Sequence, residues 1–102
     1  MKRIAHHDLS AIQAGFAAGT GSITTKALRD AQAINYTRAD ICDVVLDLTK
    51  RNFVKSEPGR NSVPGNWHDT YTYQDATGLM VLYLKFAGTT IIDVTLTSFK
   101  EK

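Results

Sequence analysis

Five side chains in the C-terminal half of this chain hold most of its potential chemistry: Lys55, His68, Tyr83, Lys85 and Lys100. Ammonium groups neutralise charge that builds on phosphate oxygens, and an imidazole exchanges protons near neutral pH. Lys50, Arg51, Lys55 and Arg60 cluster against a single acid, Glu57, and the aromatics Trp67, Tyr71 and Tyr73 follow closely. Single-stranded RNA binding needs this combination, because phosphates attract cations and unstacked bases need π-faces. Each part also has an ordinary reading. A lysine run beside a loop is commonly a solvated face, Trp67 and Tyr71 fit core positions as well as base platforms, and His68 alone fits a structural role.

Other chemistries lack their residues. The chain has no phosphate-cradling glycine loop, no nucleophile elbow and no Cys/His set at zinc spacing. His6 and His7 are adjacent rather than four apart, which makes them a poor metal pair. No metal and no cofactor are expected. The formal charge of +2 over 102 residues is far below the bias of a dedicated duplex-DNA binder. Residues 1–50 and 51–102 balance alike, with six basic and five acidic residues each, so any positive patch must arise from folding.

The positioning elements follow from the hydrophobic pattern. With 43% apolar and 22% charged residues, the chain reads as one globular domain over 1–102. Its single cysteine, Cys42, cannot form an internal disulfide and sits in an apolar helical pattern, which favours a reducing compartment. No secretory segment follows Lys2-Arg3, because His6-His7-Asp8 interrupts any apolar run, and no stretch has membrane-spanning length. A cytoplasmic protein is expected.

Three helices are predicted within 8–48. Asp8 caps the first, with Leu9, Ile12 and Phe16 on one face and Gly19 as the stop. Thr24 or Thr25 caps the second, and the third runs from about Thr37 to Leu48 with Ile41, Val44, Val45 and Leu48 in line. Strands follow within about 52–100: a short one at 52–56, one at 67–74, and a terminal hairpin after the turn Asp75-Ala76-Thr77-Gly78. Residues 57–66 read as a Pro/Gly/Asn/Ser loop, expected to be mobile and to close over a substrate. Helices followed by an antiparallel meander indicate an α+β domain with the helices on one sheet face. In the penultimate strand Leu82, Leu84 and Phe86 point inward, and Val81, Tyr83 and Lys85 outward. Strict alternation in the last strand puts Lys100 with Ile92, Val94 and Leu96 on the core face. Sharing a site with Tyr83 then requires a bulge or a twist.

The run Phe53-Val54-Lys55-Ser56, then Trp67-His68-Asp69-Thr70-Tyr71, Val81-Leu82-Tyr83-Leu84-Lys85 and the closing Ser98-Phe99-Lys100-Glu101-Lys102 resemble the MqsR family of type II toxins. The helical half adds Thr24-Thr25-Lys26-Ala27-Leu28 and Ile41-Cys42-Asp43-Val44-Val45, so the resemblance covers nearly the whole chain. It implies a RelE-like ribonuclease toxin fold with three N-terminal helices on a mainly antiparallel sheet. It also implies ribosome-independent cleavage of mRNA at GCU-like sites, neutralisation by a cognate antitoxin, and contact with operator DNA only through that antitoxin complex. The family's proposed catalytic positions fall on Lys55, Tyr83 and Lys100 with identical types. The fourth, usually Gln, falls on His68, which can exchange protons where Gln cannot.

The expected mechanism is metal-independent. The ribose 2′-hydroxyl attacks the adjacent phosphorus and the 5′-oxygen leaves, so DNA is not cut. Lys55 and Lys100 stabilise charge, and either serves as acid or base if its pKa is lowered. Tyr83 positions the phosphate or relays a proton, and His68 either carries the proton, as its intrinsic pKa favours, or only positions RNA. Lys50, Arg51, Arg60, Trp67, Tyr71 and Lys85 are the expected RNA contacts. The alternatives are a non-catalytic RNA-binding module and an antitoxin-dependent transcriptional corepressor.

Overall fold

A computed structural model describes residues 3–59, 66–89 and 93–102. Among these, three helices pack against a five-stranded mixed sheet of order β1-β5-β4-β3-β2. The strands are β1 (Ser22–Ile23), β2 (Phe53–Pro58), β3 (Trp67–Gln74), β4 (Val81–Gly88) and β5 (Thr95–Glu101). The helices are α1 (Leu9–Ala17), α2 (Thr25–Ala33) and α3 (Arg38–Asp47), with a short 3-10 turn at Lys50–Asn52.

All three helix starts are set by side-chain caps that satisfy otherwise unpaired N–H groups. Asp8 accepts from the Ser10 N–H, Thr24 from Ala27, and Thr37 from Asp40, whose carboxylate completes a capping box. The end of α3 is closed from outside. Its cap residue Leu48 is extended, and the Gln13 amide of α1 donates to the carbonyls of Val45, Leu46 and Leu48 at 3.0, 3.2 and 2.9 Å. Gly19, with φ of +80°, ends the first helical segment, and a Cβ on Gly21 would stand 2.6 Å from the Phe16 ring. Asn35 adopts the left-handed conformation just past α2, with φ of +68°.

The sheet departs from a simple meander in one respect. Ser22 and Ile23, between the first two helices, pair in parallel with Thr95 and Leu96 of β5. Two residues are too short to register as a period-2 pattern, so this edge strand is invisible to alternation. It makes the sheet mixed, with three antiparallel pairings and one parallel. The core lies between the sheet and the helices. Leu82, Leu84 and Phe86 of β4 meet Tyr71, Leu96, Phe99, Ile41, Val45, Ala27 and Ala31, all at most 1% exposed. The chain end is tied in as expected, the Lys102 N–H donating to the Val81 carbonyl at 2.8 Å.

Two bulges interrupt the alternation. Between β4 and β5, Lys85 faces Ser98 while Phe86 faces Leu96, leaving Thr97 as the extra residue. Its hydroxyl donates to the Lys85 carbonyl at 3.2 Å. Between β2 and β3, Phe53 faces Tyr71 while Lys55 faces Thr70, leaving Val54 as the extra residue, half exposed. The strict alternation expected for the last strand therefore fails at Thr97. Leu96 and Phe99, three apart, both point into the core, and Lys100 points away from it.

On the helix side, one buried carboxylate fastens the chain's beginning to the sheet. Asp69 of β3 is fully buried and accepts from the backbone N–H groups of His6 and His7 at 3.1 and 2.8 Å and from the Ser56 hydroxyl. His7 Nε2 lies 3.1 Å from the Trp67 carbonyl. Removing the acceptor strands two buried donors, the His7 N–H and the Ser56 hydroxyl, each costing about 1–3 kcal/mol. Asp69→Ala is thus expected to lower the unfolding free energy in urea by about 3 kcal/mol. A loss below about 1 kcal/mol would show that the segment contributes little.

Candidate active site

The face of the sheet turned away from the helices collects the chemistry. Across β2, β3, β4 and β5 one row reads Lys55, Thr70, Lys85, Ser98; the next reads Thr72, Tyr83, Lys100 from β3 to β5. On the other side Glu57 stands opposite His68. Neighbouring strands lie about 4.8 Å apart, so these side chains reach one another across the rows. Lys55 and Lys100 belong to this face only because Val54 and Thr97 shift the phase of their strands.

Tyr83 lies among the cations. Lys100 Nζ stands 5.6 Å and Lys85 Nζ 5.7 Å from the centroid of its ring. Burial acts to raise the pKa of this phenol. The adjacent Thr70 hydroxyl, the Lys85 ammonium and the charge of Lys55 outweigh it, and hold the pKa below its ordinary value of 10.0. Lys55 pairs with Glu57 at 3.3 Å. His68 is held below its ordinary value of 6.5, first by desolvation and then by the positive charge of Lys85, against the opposing carboxylates of Glu57 and Asp69. A depressed imidazole pKa keeps the ring neutral at neutral pH, the form that accepts a proton. Thr70 is 1% exposed, and its hydroxyl makes no well-aligned hydrogen bond.

The sequence-predicted contacts divide. Lys85 is on the open face with Lys55, His68, Tyr83 and Lys100. Tyr71 is a correction: it shares the inward phase of β3 with Asp69, is 1% exposed and has no ring face to offer a base. Trp67 takes the same inward phase and stacks on His6 at 5.3 Å, on the helix side of the sheet. The alternation of aromatic with polar residues in β3 was correct, but the aromatics are its core-facing set. Lys50 lines a separate cavity of about 600 Å³ on the helix side with Arg3, His7, Leu48, Phe53 and Tyr71. Arg51 is exposed on the 3-10 turn, and Arg60 lies outside the described residues. Of the loop expected over 57–66, Glu57 and Pro58 belong to β2, and 60–65 lie outside the described residues. Residues 91 and 92 of the terminal hairpin do so as well. Among the described residues, no group of three His, Cys, Asp or Glu side chains is placed to hold a metal ion. No helix among them is long and apolar enough to cross a membrane.

Sequence reasoning missed Thr70 and Glu57. Both carried a legible signal: each lies two residues from a named site residue on the same strand, and so on the same face.

The family model described as "Motility quorum-sensing regulator, toxin of MqsA" matches residues 4–101. The chain belongs to the MqsR toxin family. A relative, the mRNA interferase toxin MqsR of Escherichia coli strain K12, is 35% identical over 101 residues, covering 99% of this chain and 98% of the relative. Membership of the MqsR toxin family implies a cognate antitoxin as partner.

The electrostatics make a direct prediction. Burial and nearby carboxylates push Tyr71 and Tyr73 up to about 12 and raise Tyr36, leaving Tyr83 as the one of four tyrosines that is lowered. In a near-ultraviolet phenolate titration, one tyrosine should ionise ahead of the rest. Tyr83→Phe should remove that early phase, and Lys85→Ala should move it to higher pH. An early phase that survives in Tyr83→Phe would contradict the assignment.

Proposed function

We propose that this chain is a RelE-like toxin domain acting as an endoribonuclease, cutting single-stranded mRNA at GCU-like sites without the ribosome or a metal. The observation that carries this reading is the pair of bulges that turns Lys55 and Lys100 onto one face, beside Tyr83 and His68. An anionic, pentacoordinate phosphorus needs fixed positive charge around it, and three lysines ring the phenol.

In this mechanism neutral His68 takes the proton from the ribose 2′-hydroxyl as the 2′-oxygen attacks the adjacent phosphorus. The bond to the 5′-oxygen breaks, and that oxygen takes a proton from the Tyr83 phenol, whose lowered pKa makes it a better acid. The products are a 2′,3′-cyclic phosphate and a free 5′-hydroxyl. Lys55 and Lys100 neutralise the non-bridging oxygens, and Lys85 holds the RNA backbone. The relative's name, an mRNA interferase toxin, supports the reaction class. In the cytoplasm the antitoxin would restrain this activity, and the toxin–antitoxin complex would contact operator DNA through the antitoxin.

The test is cleavage of a short RNA by purified protein in EDTA without ribosomes. Lys55→Ala and Lys100→Ala, still folded, should each lose about 100-fold or more in kcat. An oligonucleotide with one 2′-deoxyribose at the cut should resist. Because the His68 pKa is lowered, a base at this position stays active as pH falls to 6.5, and the acid limb lies below that value. His68→Gln should abolish the limb along with most of the rate. Intact RNA with the wild-type protein, or full activity in Lys100→Ala, would overturn the reading.

A further inference from the structure

The cavity of about 600 Å³ on the helix side lies apart from the lysine face. Phe53 and Tyr71, whose rings meet edge to face at 5.5 Å, form its floor, and Leu9 and Leu48 complete an apolar wall. The beginning of the chain, from Arg3 to Asp8, supplies the facing side. Asp69 holds that side in place through the His6 and His7 N–H groups. The volume falls in the range of about 300–1,000 Å³ usual for small-molecule sites, and the walls come from several separate elements.

Most polar groups in the wall are already engaged. Asp8 accepts from the Ser10 N–H, Thr49 accepts from the Arg51 N–H, Gln13 donates to the carbonyls that end α3, and His7 Nε2 meets the Trp67 carbonyl. Three donors are not. Tyr71 is 1% exposed and its ring packs on Phe53 and Phe86, but its hydroxyl has no hydrogen-bond partner among the described residues. Burial first, then the charges of Asp69 and Asp8, push this phenol up to about 12, so it stays protonated and offers an O–H. The influence of Asp8, itself a wall residue, places the hydroxyl on the cavity side. Arg3 and Lys50 are exposed at the rim and have no ion-pair partner among the described residues.

An apolar wall, one buried O–H donor and two rim cations select the chemistry of an occupant. A cation would meet Arg3 and Lys50, with Asp8 already engaged by its helix. A bare inorganic anion would leave the apolar wall unfilled, and a hydrocarbon would leave the Tyr71 O–H unpaired at a cost. We infer that this cavity binds a small organic anion, a carboxylate on a compact aromatic or branched aliphatic body. Tyr71 donates to one carboxylate oxygen, and Arg3 and Lys50, on long side chains, neutralise the group from the rim. The occupant bridges the beginning of the chain to β3 and stands on the opposite side of the sheet from Tyr83 and Lys100. The site is therefore independent of the ribonuclease reading.

Three probes of graded chemistry test it by amide NMR titration of the whole chain. 3-Phenylpropionate should shift the amides of Leu9, Ser10, Thr49, Lys50 and Tyr71 saturably, leaving those of Lys55, Tyr83 and Lys100 unmoved. 3-Phenylpropanamide, isosteric but neutral, and propionate, which lacks the ring, should each bind about tenfold or more weakly. Tyr71→Phe keeps the ring and its packing and should weaken 3-phenylpropionate about tenfold. Lys50→Gln, at an exposed position that the core does not depend on, should weaken it about threefold and leave propanamide binding unchanged. The second variant keeps the test decisive if the first disturbs the core. Equal binding of the acid and the amide, shifts centred on the lysine face, or no saturable shift below about 10 mM would each overturn the inference. So would wild-type affinity in both variants.

Discussion

The candidate site depends on one backbone constraint applied twice: an extra residue in a strand reverses which face every later side chain occupies. A period-2 strand must keep its apolar set against the helices, so its polar set is decided by register. In β5 the core demands both Leu96 and Phe99, three apart, and Thr97 absorbs the mismatch. In β2 the core side takes both Phe53 and Ser56, again three apart, and Val54 absorbs it. Packing on one face therefore places Lys100 and Lys55 on the other. The lysines are held by the core beneath them, which gives long, flexible side chains a fixed origin.

Around that frame the electrostatics are cooperative in a simple sense. Three ammonium groups on one face would repel one another without counter-charge. Glu57 pairs with Lys55, and the ring of Tyr83 receives Lys85 and Lys100. The same charges lower the Tyr83 phenol, and Lys85 helps to lower His68. A phenol made more acidic and an imidazole kept neutral are suited to giving and taking a proton, respectively. The opposite side of the sheet is devoted to anchorage. Asp69, one residue from His68, fastens the beginning of the chain under β3, and Trp67 stacks there on His6.

Much of this was legible in the residues. Helix caps, the inward set of β4 and the turn at Asp75-Ala76-Thr77-Gly78 follow from side-chain chemistry with a fixed local geometry. Lys55, His68, Tyr83 and Lys100 stand out by type and by family resemblance, and the structure brings them to one face. Illegible parts depend on long-range pairing. Strand β1 is two residues long and exists only because β5 offers it an edge. Tyr71 and Trp67 carry the aromatic signature of a base platform, but the core claims the first, and the second has its helix-side face against His6. The Leu96 and Phe99 spacing is the trace that a bulge leaves in sequence, and it reads as noise until the partner strand is known.

The central claim is that RNA meets the open face of β2 to β5. NMR mapping with a 2′-fluoro-substituted RNA, which lacks the attacking hydroxyl, tests it most directly. The account predicts resonance changes at Lys55, His68, Thr70, Tyr83, Lys85 and Lys100, with the Trp67 indole, Tyr71 and Lys50 silent. Changes concentrated at Lys50, Trp67 and residues 3–8, with the lysine face unmoved, would contradict it.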